Sequence, residues 1–243
     1  MAGLNKSLQH SYVKIEADAG RISYGGNQSW LSTDAERSFG CGLIASADVL
    51  RYIRRKEGRP ESVGEKDADP TRTLTKQQYL EDIHVLSLDF RVRGPLGITG
   101  FGLARRMNRV FRREKLPYRS KWSVGRKRFL RRLEEMLDRD IPVLLSVGPC
   151  FFHRNERLPM YEKKEDGTLW KSSSMNDHYV TATGMEEGPS GKMVQISSWG
   201  EKYYISLQEY VDHVKKFDNF LFSSLLYIRR KGQAYGEESG KDR

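Results

Sequence analysis

Apolar positions along this chain recur at helical spacing in its first part and fall into short strand-like runs in its last third, with the change near residue 140. Residues 11–17 and 21–24 read as extended segments. Leu43, Ile44, Ala47, Leu50 and Ile53 then fall at helical intervals and predict a helix that Gly58, Arg59 and Pro60 end. Residues 59–73 are polar with two prolines, which predicts a surface loop. A second helix is predicted from the capping residue Thr75 to Leu88. A third follows Thr99 and is stopped by Pro117, and a fourth runs from about Ser123 to Arg139. From Ile141 to Val147 the pattern is a short apolar run, as in a buried strand. Residues 178–184, 193–198 and 203–206 are further strand candidates, with a helix over 207–217 and a last strand near 220–229.

Helices first and strands last predict an α+β fold rather than the alternation of a wound parallel sheet. The expected organisation is one domain spanning 1–243, with a helical half over about 25–140 and a sheet half over about 141–230. Residues 149–177 read as a long insertion containing a hairpin that turns at Asp166 and Gly167. The polar tail 231–243 is expected to fray.

Composition narrows the function classes. Of 243 residues, 37% are hydrophobic and 30% charged, and no apolar run approaches a membrane span. The N-terminus lacks the apolar core of a secretory signal. Two cysteines, Cys41 and Cys150, are too few for a disulfide framework, so a reducing cytoplasmic setting is the expectation. The formal net charge of +10 gathers in three clusters: Arg51 to Lys56, Arg105 to Lys115, and Arg126 to Arg132. On the third helix Leu103, Met107, Val110 and Phe111 form an apolar stripe, opposite Arg105, Arg109, Arg112 and Arg113. That face could meet an acidic partner. Nucleic-acid binding ranks below a solvated face, because no stacking or groove-reading motif accompanies the arginines.

The candidate chemistry centres on Cys41. It stands where the helical periodicity begins, so a first-turn position is expected to lower its thiol pKa through unpaired N–H groups and the helix dipole. Gly40 and Gly42 leave the sulfur approachable. An oxyanion formed by attack on a carbonyl would need donors, for which the Cys41 N–H and the side chain of Gln28 are available. Gly25 and Gly26 suggest a flexible approach to that glutamine. The base must be a histidine, and His178 alone opens a clear strand. By contrast His10 is near the terminus, His84 and His213 fall on amphipathic helices, and His153 lies in the insertion. The competing reading of Cys41 is a small buried residue.

Gln28, Cys41, His178 and the run Ser197-Ser198-Trp199-Gly200, in this order, resemble the papain-like cysteine peptidases. The likeness is to the compact bacterial branch that includes the double-glycine leader peptidases. The resemblance implies a cleft between a helical half carrying Cys41 and a sheet half carrying His178, with amide-bond cleavage or transfer through an acyl-enzyme at Cys41. It implies a peptide or protein substrate and no organic cofactor or metal. Two departures stand out. Gln28 lies far upstream of Cys41, so residues 29–39 must loop out, with Asn27 as the alternative donor. Ser197 occupies the place of the amide or carboxylate that orients the histidine, and Asp177 and Gln195 are the nearest substitutes in sequence. That substitution keeps open a catalytically silent module that binds peptides or a protein partner. Cys150 and His153 have the spacing of half a zinc site with no second pair. The glycine-rich stretch 94–102 lacks the lysine of a phosphate loop and reads as a linker.

Overall fold

The computed structural model describes residues 5–60, 73–90, 97–148, 153, 155–188 and 191–232. The strands are β1 (Lys6–Ser7), β2 (Lys14–Glu16), β3 (Ile22–Tyr24), β4 (Leu74–Thr75), β5 (Tyr118–Trp122), β6 (Val143–Val147), β7 (Leu158–Lys163), β8 (Leu169–Met175), β9 (His178–Gly188), β10 (Gly191–Ser198), β11 (Glu201–Ser206) and β12 (Leu225–Arg230). The helices are α1 (Asp34–Phe39), α2 (Cys41–Lys56), α3 (Lys76–Ser87), α4 (Gly100–Arg113), α5 (Arg126–Asp138) and α6 (Leu207–Phe217). The fold is α+β. Its main sheet is antiparallel, in the order β5-β12-β6-β9-β10-β11-β7-β8, with β1 also on β9. A smaller sheet joins β3, β2 and β4.

The helix starts follow from local chemistry. Thr75 and Gln78 form a reciprocal capping box at α3, Thr99 caps α4 and Ser206 caps α6. The apolar stripe of α4 is buried, while Arg105, Arg109, Arg112 and Arg113 face solvent. In α2 the stripe widens until the helix is buried on nearly every side, polar residues included. Its basic cluster therefore turns inward. Arg51 pairs with Asp82, Arg54 makes two bonds of 2.9 and 2.7 Å to Glu114, and Lys56 donates to the Asp140 carbonyl at 2.9 Å.

Several boundaries differ from expectation. The helical half contributes β5 to the main sheet. In its sequence, YRSKW, only Tyr118, Ser120 and Trp122 face inward, so no aliphatic run marks the strand. Residues 158–175 are two strands of the main sheet rather than an inserted appendage. They form the hairpin turning at Asp166 and Gly167, and β7 pairs with β11. Gly100 and Gly102 lie in the first turn of α4, where a Cβ on Gly100 would sit 2.2 Å from the Trp122 ring. Most of the 59–73 loop, the linker before residue 97, Cys150 and the tail beyond residue 232 lie outside the described residues. No helix among the described residues is long and apolar enough to cross a membrane.

Candidate active site

Cys41 is the first residue of α2, directly after Gly40, which is both the C-cap of α1 and the N-cap of α2. The helix lies on β9 so closely that a Cβ on Gly42 would meet the Tyr179 ring at 3.2 Å. His178 opens β9 and pairs with Val147 of β6. It follows Asp177, whose φ of 46° is a left-handed conformation uncommon outside glycine. Gln28, Cys41, His178, Ser197 and Ser198 all line one cavity of about 10 Å³, the room of roughly a single water. The four residues singled out by sequence thus converge.

Their partners differ from those expected. The His178 ring is hydrogen-bonded through Nε2 to the Ser198 hydroxyl at 2.8 Å, and the Trp199 ring stacks on it at 4.8 Å and 24°. Ser197 is not the orienting residue. It pairs with Thr181 across β9 and β10, so alternation turns its side chain away from that of Ser198, and its hydroxyl donates to the Tyr24 carbonyl at 2.7 Å. Gln195 does not replace it, since its amide donates to Tyr24 and Thr183. Among the described residues the hydrogen-bond partner of the His178 ring is Ser198 and not Cys41.

Gln28 lines the same cavity as Cys41, and its side-chain amide bonds the α1 backbone. Residues 28–39 form a short 3-10 turn and α1, and the Gln28 amide returns to donate to the Arg37 carbonyl at 2.8 Å, near the α1–α2 junction. Asn27 is engaged otherwise: its amide donates to the Trp199 carbonyl at 2.8 Å, and its oxygen caps the 3-10 turn. The two glycines before it are a fixed turn rather than a flexible approach. Gly25 has φ +81°, and a Cβ there would lie 2.4 Å from Ser197 Oγ and 2.5 Å from Asp48 Oδ2.

Asp48, two helical turns beyond Cys41, was not singled out by sequence. Its side chain is buried, and three donors converge on it: the Gly26 N–H at 3.1 Å, the Tyr12 hydroxyl at 3.1 Å and the Tyr79 hydroxyl at 2.8 Å. A lone acid within the apolar run from Leu43 to Leu50 is the signal that could have marked it.

The electrostatics reverse one expectation. Burial pushes the Cys41 thiol up to about 11, outweighing the backbone N–H groups of Tyr179 and Gly42, which favour the thiolate. Burial also pulls His178 down to about 4. At neutral pH both groups are uncharged, and a first-turn position alone does not give a thiolate. Asp48 is raised to about 6 by burial, with the Gly26 N–H, the two tyrosine hydroxyls and Arg51 working against the rise.

The remaining histidines have other roles. His10 bonds Asp140 at 2.8 Å, His153 and His213 lie against Phe217, and His84 is exposed on α3. No group of three or more potential metal ligands is found among the described residues. Comparisons with family models, curated proteins and solved structures return no match to this chain.

Proposed function

We propose that the chain is a thiol-dependent hydrolase or acyltransferase of papain-like arrangement, acting on the amide bonds of a peptide or protein through Cys41. The observation that carries this reading is the convergence of Cys41, Gln28 and His178 on one cavity, with His178 oriented by Ser198 and covered by Trp199. In the reactive tautomer His178 Nε2–H donates to Ser198 Oγ, which leaves Nδ1 to accept the thiol proton. As the sulfur attacks the carbonyl carbon, the oxyanion takes hydrogen bonds from the Cys41 N–H and from the Gln28 amide. That amide has a second N–H besides the one given to Arg37. Collapse breaks the C–N bond, and the amine leaves with the proton held by His178. Water or an acceptor amine then attacks the thioester, with His178 again as base.

The cavity has room for about one water, and both reactive groups are neutral at rest. Substrate entry therefore has to widen the cavity, and proton transfer has to accompany attack rather than precede it. The same closure favours a second reading, a silent module that binds a partner elsewhere.

The test treats the native chain with p-nitrophenyl acetate and maps the adduct by mass spectrometry. Acylation of Cys41 in preference to Cys150, lost in His178→Ala, supports the enzyme. Acylation of Cys150 alone, or of neither, supports the silent module.

A further inference from the structure

We propose that Asp48 is a positioning residue for the oxyanion side of the site, holding the Gly25–Gln28 turn so that the Gln28 amide stays against the start of α2. This inference rests on the thiol reading above. Asp48 belongs to the same helix as Cys41 and lines the same cavity, so both ends of the arrangement are referred to one rigid element. Its Oδ2 accepts from the Gly26 N–H, two residues before Gln28. Beside Asp48 Oδ2, Ser197 Oγ packs on Gly25 and donates to the Tyr24 carbonyl. A Cβ on Gly26 would lie 2.0 Å from the Tyr79 hydroxyl, the group that donates to Asp48 Oδ1, so the turn fits closely against this network.

The choice of a carboxylate follows from the donors. An N–H and two tyrosine hydroxyls, from three separate segments, point at one spot beneath the turn. An acceptor-only side chain can receive all three, whereas an amide receives some and opposes another with its own N–H. Arg51, one turn further along α2, is the nearby positive charge that favours the ionised form. An apolar side chain in its place would leave those three donors without an acceptor. Asp48 thereby fixes the turn that carries Gln28 and the Asn27 bond to Trp199.

The experiment compares two reagents at Cys41 in the full chain. p-Nitrophenyl acetate develops an oxyanion on reaction, and iodoacetamide does not. In Asp48→Ala the ratio of acylation to alkylation rate should fall about tenfold, the scale of one hydrogen bond to the oxyanion weakened by misalignment. Asp48→Asn, which keeps one acceptor, should restore most of it. Gln28→Ala should lower the ratio similarly, and the Asp48→Ala/Gln28→Ala double variant should add little further. Amide exchange supplies a readout independent of chemistry: Gly26 should exchange at least tenfold faster in Asp48→Ala while residues 43–50 keep their protection. An unchanged ratio in both Asp48 variants, unchanged exchange at Gly26, or additive single variants would overturn the proposal. If Asp48→Ala does not fold, Asp48→Asn carries both measurements with a smaller effect of the same sign. If neither reagent modifies Cys41 in the unaltered protein, the thiol reading fails, and Gly26 exchange alone judges whether Asp48 holds the turn.

Discussion

The two walls of the cavity are built by opposite means. The helix wall, with Cys41 and Asp48, is held by a buried carboxylate that gathers three donors from three segments. The strand wall, with His178, is held by one hydroxyl and one stacked ring. Their electrostatics are opposed as well: the helix wall buries an acid whose pKa rises to about 6, and the strand wall buries a base whose pKa falls to about 4. Because burial opposes charge on both sides, the helix wall fixes position while the strand wall keeps a neutral base in reserve. A resting thiolate–imidazolium pair is the arrangement this division excludes.

The largest expected effect tests the strand wall. His178→Ala should lower acylation of Cys41 by about 10²- to 10⁴-fold, the usual scale for a lost general base. Alkylation of Cys41 in the unaltered protein should climb close to tenfold per pH unit from about pH 7 toward pH 10, because with a thiol near 11 only about one sulfur in 10⁴ is ionised at pH 7. A rate already at plateau at pH 6 would mean that a resting ion pair exists after all.

Next in size is the pH dependence of stability. His178 is depressed in the folded state, so its contribution is present above about pH 6.5 and lost as pH falls through about 4, roughly 3 kcal/mol in all. Asp48 is raised, so its contribution is present below about pH 3.8 and lost as pH rises through about 6, again roughly 3 kcal/mol. Between pH 4 and 6 the two oppose each other. Urea midpoints of Asp48→Asn should therefore fall more steeply with acid than those of the unaltered protein, and those of His178→Gln should fall less or rise. Parallel profiles for all three would show that these two groups do not govern the acid limb. Gly25→Ala should cost roughly 2–3 kcal/mol, since it combines a left-handed φ with a close approach to Ser197 and Asp48. A midpoint within error of the parent would mean that the turn yields easily.

Much of this is legible in the sequence, and the reasons are local. Periodicity marked α2 and capping residues marked α3 and α4, because each signal lies within one turn of the element it starts. The hairpin of β7 and β8 could be read from Asp166 and Gly167 alone. Cys41 and His178 could be nominated because each opens an element. What could not be read depended on register between distant segments. Strand β5 has no aliphatic run, and its inward residues declare themselves only against β12. Asp48 shows in the sequence only as a lone acid within an apolar run, and its partners Tyr12, Gly26 and Tyr79 come from three distant segments. The thiol's shift is likewise a property of the packed sheet behind it, which no motif contains.

The smallest effect is the one that separates two adjacent serines. By order along the chain Ser197 takes the orienting position, yet pairing with Thr181 turns it toward Tyr24 and leaves Ser198 on the histidine. A hydroxyl can fix the imidazole tautomer but carries no charge to stabilise imidazolium, and with His178 near 4 little imidazolium exists to be stabilised. The Ser198 bond should therefore contribute on the scale of one neutral hydrogen bond, about 0.5–1.5 kcal/mol. Ser198→Ala should slow acylation about two- to tenfold and lower stability by about 1 kcal/mol, because the buried His178 N–H loses its acceptor while the stacked Trp199 still restrains the ring. Ser197→Ala should lower stability by a similar amount, about 1 kcal/mol, through the lost bond to Tyr24, and leave acylation within about twofold. Rates and urea midpoints of the two variants, measured side by side, decide the matter. If Ser197→Ala slows acylation more than Ser198→Ala, the strand wall is oriented through Ser197 and its bond to Tyr24, and the two walls act as one network.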